Sequence, residues 1–149
     1  MSEQLITQIF NIKTNSPEET ENAGEKLALS VKKNEFIALY GDLGAGKTAF
    51  VRGFVRPLVP SADVCSPTYS IINEYEENDI KICHMDAYRI KDEDDLFSCG
   101  FYDYTDCYVI SEWSENIPFA LPREYVRVTI TKEGESCRDI SAEYMRKAL

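Results

Sequence analysis

The chain has 149 residues, 44% of them apolar, and a formal net charge of −10. That is enough for one domain, residues 1–149, with a fair core, and the acidic balance argues against a surface built to grip phosphate backbones. Five cysteines without a C-x-x-C pair, beside His84 as the single histidine, argue against a zinc centre and read as reduced thiols of a cytoplasmic protein.

The opening MSEQLITQIFNIKT has no basic segment leading into an apolar stretch, so no export signal is expected, and no apolar run reaches membrane-spanning length. Ile6 to Lys13 suits an edge strand. Ser16-Pro17-Glu18-Glu19 then predicts a helix start, with Ser as N-cap, Pro at the first helical position and Glu completing a capping box. Thr20, Ala23, Gly24, Leu27, Ala28 and Val31 form one face of that helix, which is expected to run up to Lys32-Lys33-Asn34. Phe36 to Tyr40 is an unbroken apolar run, as for a buried parallel strand.

Residues 41 to 48 follow at once and read GDLGAGKT, a complete G-x-x-x-x-G-K-[ST] phosphate loop. Its glycines let successive N–H groups turn toward phosphate oxygens. Gly41, Asp42, Leu43, Gly44, Ala45, Gly46, Lys47 and Thr48 are therefore the expected nucleotide-binding residues. Lys47 supplies a point charge to the β- and γ-phosphates, and the Thr48 hydroxyl is suited to Mg²⁺. Phe50, Val51, Phe54, Val55 and Leu58 recur at helical spacing, so the helix N-terminus stands behind the anion.

Pro57 and Pro60 mark the helix stop. Ser66-Pro67-Thr68 lies where other phosphate-loop proteins carry a segment that senses the γ-phosphate, making Thr68 a candidate. Ser70 to Tyr75 and Ile80 to Met85 read as a hairpin around Glu77-Asn78-Asp79. Asp92 to Asp95 is expected to be the acidic first turn of a helix rather than a site. Tyr108-Val109-Ile110 is a buried strand that ends at Glu112. Pro118 and Pro122 punctuate a loop, and Tyr125–Thr131 with Arg138–Tyr144 form a closing hairpin.

The expected fold is α/β: a mixed sheet of the P-loop NTPase kind, flanked by helices and carrying antiparallel hairpins. In open α/β sheets ligands bind outside the carboxyl ends of the strands. Asp86 and Glu112 both end strands, so both are expected to face the phosphates. One would hold Mg²⁺ with Thr48, and the other would orient the attacking water. Lys47, Asp86 and Glu112 are the expected catalytic groups, and Thr48, Asp86 and Glu112 the expected metal donors. Arg89 is weighed as a charge stabiliser against a local ion pair, Trp113 as core against site lining, and His84 as a structural or partner-facing residue.

The motifs GDLGAGKT, SPTY, HMDAYR and EW, in that order, resemble the TsaE family (also called YjeE) over nearly the whole chain. The resemblance implies a weak ATPase that serves the threonylcarbamoyl-adenosine (t6A) modification of tRNA in a complex with the TsaB and TsaD proteins. It implies ATP as the nucleotide and Mg²⁺ held by Thr48 and Glu112. Asp86, Thr68 and Trp113 match motif positions of the family. Specific binding of free tRNA by this chain is not expected. Two rivals read the loop differently. A small nucleotide or metabolite kinase would need cationic residues closing over two substrates, and the arginines here are scattered. A GTP switch would need N-K-x-D and D-x-x-G motifs, which are lacking.

Overall fold

The computed structural model describes residues 4–42, 45–67 and 71–148. Its seven strands are β1 (Gln4–Thr14), β2 (Phe36–Tyr40), β3 (Ile72–Glu77), β4 (Ile80–Asp86), β5 (Tyr108–Glu112), β6 (Glu124–Lys132) and β7 (Arg138–Lys147). Three α-helices, α1 (Pro17–Ala28), α2 (Lys47–Val55) and α3 (Glu93–Ser98), and three short 3₁₀ turns at Phe101–Asp103, Ser114–Asn116 and Pro118–Ala120 complete the regular structure among the described residues. The strands form one sheet in the order β1-β7-β6-β2-β5-β4-β3. Strands β6, β2, β5 and β4 run parallel at its centre; β7 and β1 extend it antiparallel at one side, and β3 at the other. The expected mixed α/β sheet with antiparallel hairpins is what the chain forms.

Local chemistry explains most boundaries. The Ser16 hydroxyl caps α1 by accepting from the Glu19 N–H, while the Glu19 carboxylate turns back to the N–H of Asn15, one residue earlier than a strict capping box. The helix ends earlier than its apolar periodicity predicts. After Ala28 the N–H groups of Ser30 and Val31 both go to the Leu27 carbonyl, and the Ser30 hydroxyl donates to the Lys26 carbonyl. Those bonds satisfy the orphan carbonyls of the last turn, so Val31 packs against the core from outside the helix. The Asp92–Asp95 cluster behaves as a first turn. Asp92 accepts from the Asp95 N–H, and Asp95 accepts from the Lys91 N–H.

The sheet is covered on both faces. Leu27, Phe50, Val51 and Phe54 of α1 and α2 pack on Ile37, Leu39, Ile82 and Ile110. On the other face, Cys83, Met85 and Val109 meet Leu96, Phe101 and Ile117. Strand β4 is consequently buried on both sides from Ile82 to Met85, because it lies inside the sheet between β3 and β5. Helices α1 and α2 approach backbone to backbone through Gly24 and Gly53, flanked by the Arg52–Glu21 and Arg56–Glu25 ion pairs.

Candidate nucleotide site

The site lies where β2, β4 and β5 end side by side. Beyond Tyr40 the chain enters the loop at Gly41, where any side chain would collide with the Ile130 carbonyl of β6, 2.8 Å from an added Cβ. It leaves the loop at Gly46, in the left-handed region at φ 96°, directly before α2. The Ala45 carbonyl accepts from the Nε of Arg138 at 2.9 Å, so β7 braces the loop from outside. Leu43 and Gly44 lie outside the described residues.

Lys47 is 6% exposed, and its ammonium is held twice. Nζ donates to the Gly41 carbonyl at 2.7 Å and stands 4.3 Å from the centre of the Trp113 ring. The lysine thus bridges the two ends of the loop. Trp113 adopts φ 58°, an uncommon conformation for a bulky residue. The surrounding turn holds it there: the Ser114 hydroxyl donates to the Ser111 carbonyl at 2.7 Å, and the Asn116 N–H donates to the Trp113 carbonyl at 3.0 Å. The Trp113 ring also leans on Tyr88, with centroids 5.0 Å apart.

The two strand-end acids are direct neighbours, since Asp86 pairs with Glu112 in the parallel β4–β5 register. Asp86 Oδ1 accepts from the Tyr88 N–H at 2.9 Å. Glu112 is 4% exposed, and its Oε2 lies 2.6 Å from Nε2 of the fully buried His84. The His84 Nδ1 in turn lies 3.0 Å from the Tyr75 hydroxyl.

Gly46, Lys47, Thr48, Ser66, Asp86, Glu112 and Trp113 line one cleft of about 330 Å³, within the usual range for a small-ligand site. Two larger hollows, of about 420 and 440 Å³, contain neither the loop nor the two strand-end acids. Arg89 borders the second of them and not the loop cleft. The Asp42 side chain is exposed, while its carbonyl accepts from the Ala45 N–H within the loop. Thr68 lies outside the described residues. Ser66, two residues before it, reaches the cleft, although the sequence singled out its neighbour.

Among the described residues no three His, Cys, Asp or Glu side chains converge as an all-protein metal cage. One hydroxyl and two carboxylates beside a phosphate loop are instead the oxygen donors that suit Mg²⁺, which is bound by one or two carboxylates together with substrate phosphates. The donor set therefore fits Mg²⁺ at Thr48, Glu112 and Asp86.

Known proteins resemble this chain in sequence and fold. Residues 14–140 match the protein family described as "Threonylcarbamoyl adenosine biosynthesis protein TsaE". The chain belongs to the TsaE family. It is 36% identical over 129 residues to the tRNA threonylcarbamoyladenosine biosynthesis protein TsaE of Bacillus subtilis, covering 87% of this chain and 82% of that one. With the Nostoc TsaE it shares 34% identity over 144 residues, covering 93% and 88%. The crystal structure of Bacillus subtilis YdiB superposes with a TM-score of 0.70 at 29% identity, covering 96% of this chain and 86% of that one. Among the described residues no helix is long and apolar enough to cross a membrane.

Proposed function

We infer that this chain is the Mg²⁺-dependent ATPase component of tRNA threonylcarbamoyladenosine biosynthesis, working with TsaB and TsaD in the cytoplasm. The observation that carries the reading is the single cleft shared by Lys47, Thr48, Asp86 and Glu112 at the end of a phosphate loop. Loop N–H groups and Lys47 would bind the triphosphate. Thr48 and Glu112 would hold Mg²⁺, with Asp86 beside them sharing the metal or orienting the attacking water. When bound, Mg²⁺ would draw charge from the β- and γ-phosphate oxygens. The Trp113 ring would close the side of the cleft.

Slow hydrolysis by the chain alone follows from the same lining. Lys47 is the only cationic side chain among the described residues bordering the cleft, and phosphoryl transfer is accelerated chiefly by positive charge placed on the transition state. A partner that adds positive charge to the cleft would raise the rate. The small-kinase alternative fits less well, because no arginine borders this cleft among the described residues.

The test is Mg²⁺-ATP hydrolysis by the chain alone and with TsaB and TsaD. Slow turnover alone, stimulation by the pair, and a tenfold or greater loss in Glu112→Gln are expected, since such electrostatic contributions are worth about 3 kcal/mol. Wild-type turnover in both Glu112→Gln and Asp86→Asn would move the chemistry elsewhere. Specific tRNA binding by the isolated chain would refute the partner-dependent part.

A further inference from the structure

His84 lies outside the cleft lining, yet it is fully buried and stands 2.6 Å from a site carboxylate. The sheet register explains how three polar side chains meet there. Tyr75 of β3 pairs with Ile82, two residues before His84, and His84 pairs with Ile110, two residues before Glu112. Side chains two apart share a face, so Tyr75, His84 and Glu112 step diagonally across the same face of three adjacent strands. The line begins near the Cys65 carbonyl, 3.3 Å from the Tyr75 hydroxyl, and ends at the Glu112 carboxylate.

Proton counting fixes the direction of its last bond. An ionised carboxylate only accepts, so Nε2 of His84 must be the donor to Glu112 Oε2. With Nε2 protonated, a neutral ring presents Nδ1 as acceptor to the Tyr75 hydroxyl. The Tyr75 hydroxyl has one proton and two acceptors in reach, Nδ1 at 3.0 Å and the Cys65 carbonyl at 3.3 Å; given to the nearer Nδ1 it completes the line, and the carbonyl keeps the Asn73 amide at 3.1 Å. Every group on the line is then matched. One Glu112 oxygen is pinned to His84, and Oε1 is not taken up by that bond.

The geometry points to His84 as a positioning residue for Glu112, with Tyr75 setting the orientation of the imidazole. This rests on the reading of Glu112 as a donor to Mg²⁺. A carboxylate free to rotate at a strand end would spend part of its time turned from the cleft, whereas the Nε2–H bond holds one rotamer. Partners of this kind that orient a metal-binding carboxylate typically matter by about 10–100-fold in metal affinity or activity.

The decisive measurement is Mn²⁺ affinity, read by electron paramagnetic resonance on the full chain saturated with a non-hydrolysable ATP analogue. His84→Leu fills similar space without a donor. It is expected to weaken Mn²⁺ by about tenfold or more and to lower kcat similarly, while metal-free analogue affinity stays within about twofold. His84→Gln, whose amide can still donate, is expected to recover most of the loss, and the shorter His84→Asn less. Equal Mn²⁺ affinity in folded Gln and Leu variants, or in Gln and Asn if the Leu variant does not fold, overturns the proposal. Because His84 is the sole histidine, one imidazole N–H resonance is available by NMR. It is expected far downfield and displaced in Glu112→Gln; an unmoved resonance overturns the bond. The two readings fail separately. If Glu112→Gln keeps wild-type Mn²⁺ affinity and turnover, the nucleotide-site reading falls. If Glu112→Gln is impaired and folded His84→Leu is not, only the role of His84 falls.

Discussion

Replacing Gly53 by Ala should unseat the helix that carries Lys47 and Thr48. A Cβ built at Gly53 lies 1.8 Å from the Glu21 carbonyl oxygen, 2.5 Å from its carbon and 2.7 Å from the Glu21 Cα. Ordinary contact begins near 3.4 Å, so α1 and α2 must separate by roughly 1.6 Å. The obstacle is backbone, and no rotamer change relieves it. Overpacking of this kind costs about 1–3 kcal/mol or more, against which alanine's better helix propensity returns about 1 kcal/mol. Because the clash is with backbone, the upper end applies, and a net loss of about 2 kcal/mol corresponds to a melting point roughly 4–8 °C lower for a chain of this size. Circular dichroism melts of Gly53→Ala measure it directly. Gly134→Ala is the control, because its added Cβ meets only the Cys137 Cβ at 3.9 Å, and it should melt with the wild type. ATP affinity should fall in Gly53→Ala as α2 moves. A variant melting at or above wild type would mean that the helix crossing is not close-packed, and the argument fails.

Lys47→Ala should weaken ATP binding by about 10–100-fold, the worth of a hydrogen bond to a charged group, as read by calorimetry; unchanged affinity would place the phosphates elsewhere. Trp113, the only tryptophan, should change its fluorescence as ATP draws Lys47 from its ring, and a flat titration with confirmed binding would contradict that displacement. Exposed Cys65 and Cys137 should react with a thiol reagent in the native chain. Burial pushes the Cys83 thiol up to about 12, leaving about 10⁻⁴ of it as thiolate at pH 8, so Cys83 should label only on unfolding. Burial also raises the Glu35 carboxyl above its ordinary value, with Lys32 opposing the shift. The folded chain then holds that proton more tightly than the unfolded one, a stabilisation present at acid pH and lost as pH rises through the folded value. Glu35→Gln should accordingly raise the melting point at pH 7, and the gain should vanish below the ordinary carboxylate range.

The features legible in the sequence are those whose signal is local. The run Phe36–Tyr40, the loop and the periodic apolar residues of α2 read directly, because strand, turn and helix each leave a pattern within a few residues. Asp86 and Glu112 could be paired from a general rule about strand ends, and the β4–β5 register sets them side by side. The His84–Glu112 bond is visible only through that register, since the sequence alone reads His84 as a structural or partner-facing residue. Arg138 was harder still. Its bond to the Ala45 carbonyl joins residues 93 apart in sequence, and nothing local distinguishes it from the other arginines. Helix α1 ends short of its periodicity because Val31 continues the apolar stripe while Ser30 has already turned the chain.

The sheet order also governs when the site can exist during synthesis. Strand β2, which delivers the loop, has neighbours only in β5 and β6, and β1 lies two strands further out, beyond β6 and β7. An emerging chain that has released the whole GDLGAGKT motif therefore has no strand to lay against Phe36–Tyr40 until Val109 and then Val126 follow. The Gly41 side of the loop waits for Ile130, and the Arg138 brace comes later again. The sheet's outer edge closes last, when Lys147 reaches Gln4. A ribosome stalled before β5 would display every residue of the loop without the strand that brings Glu112 to Lys47, so the cleft between them can form only after β5 has emerged.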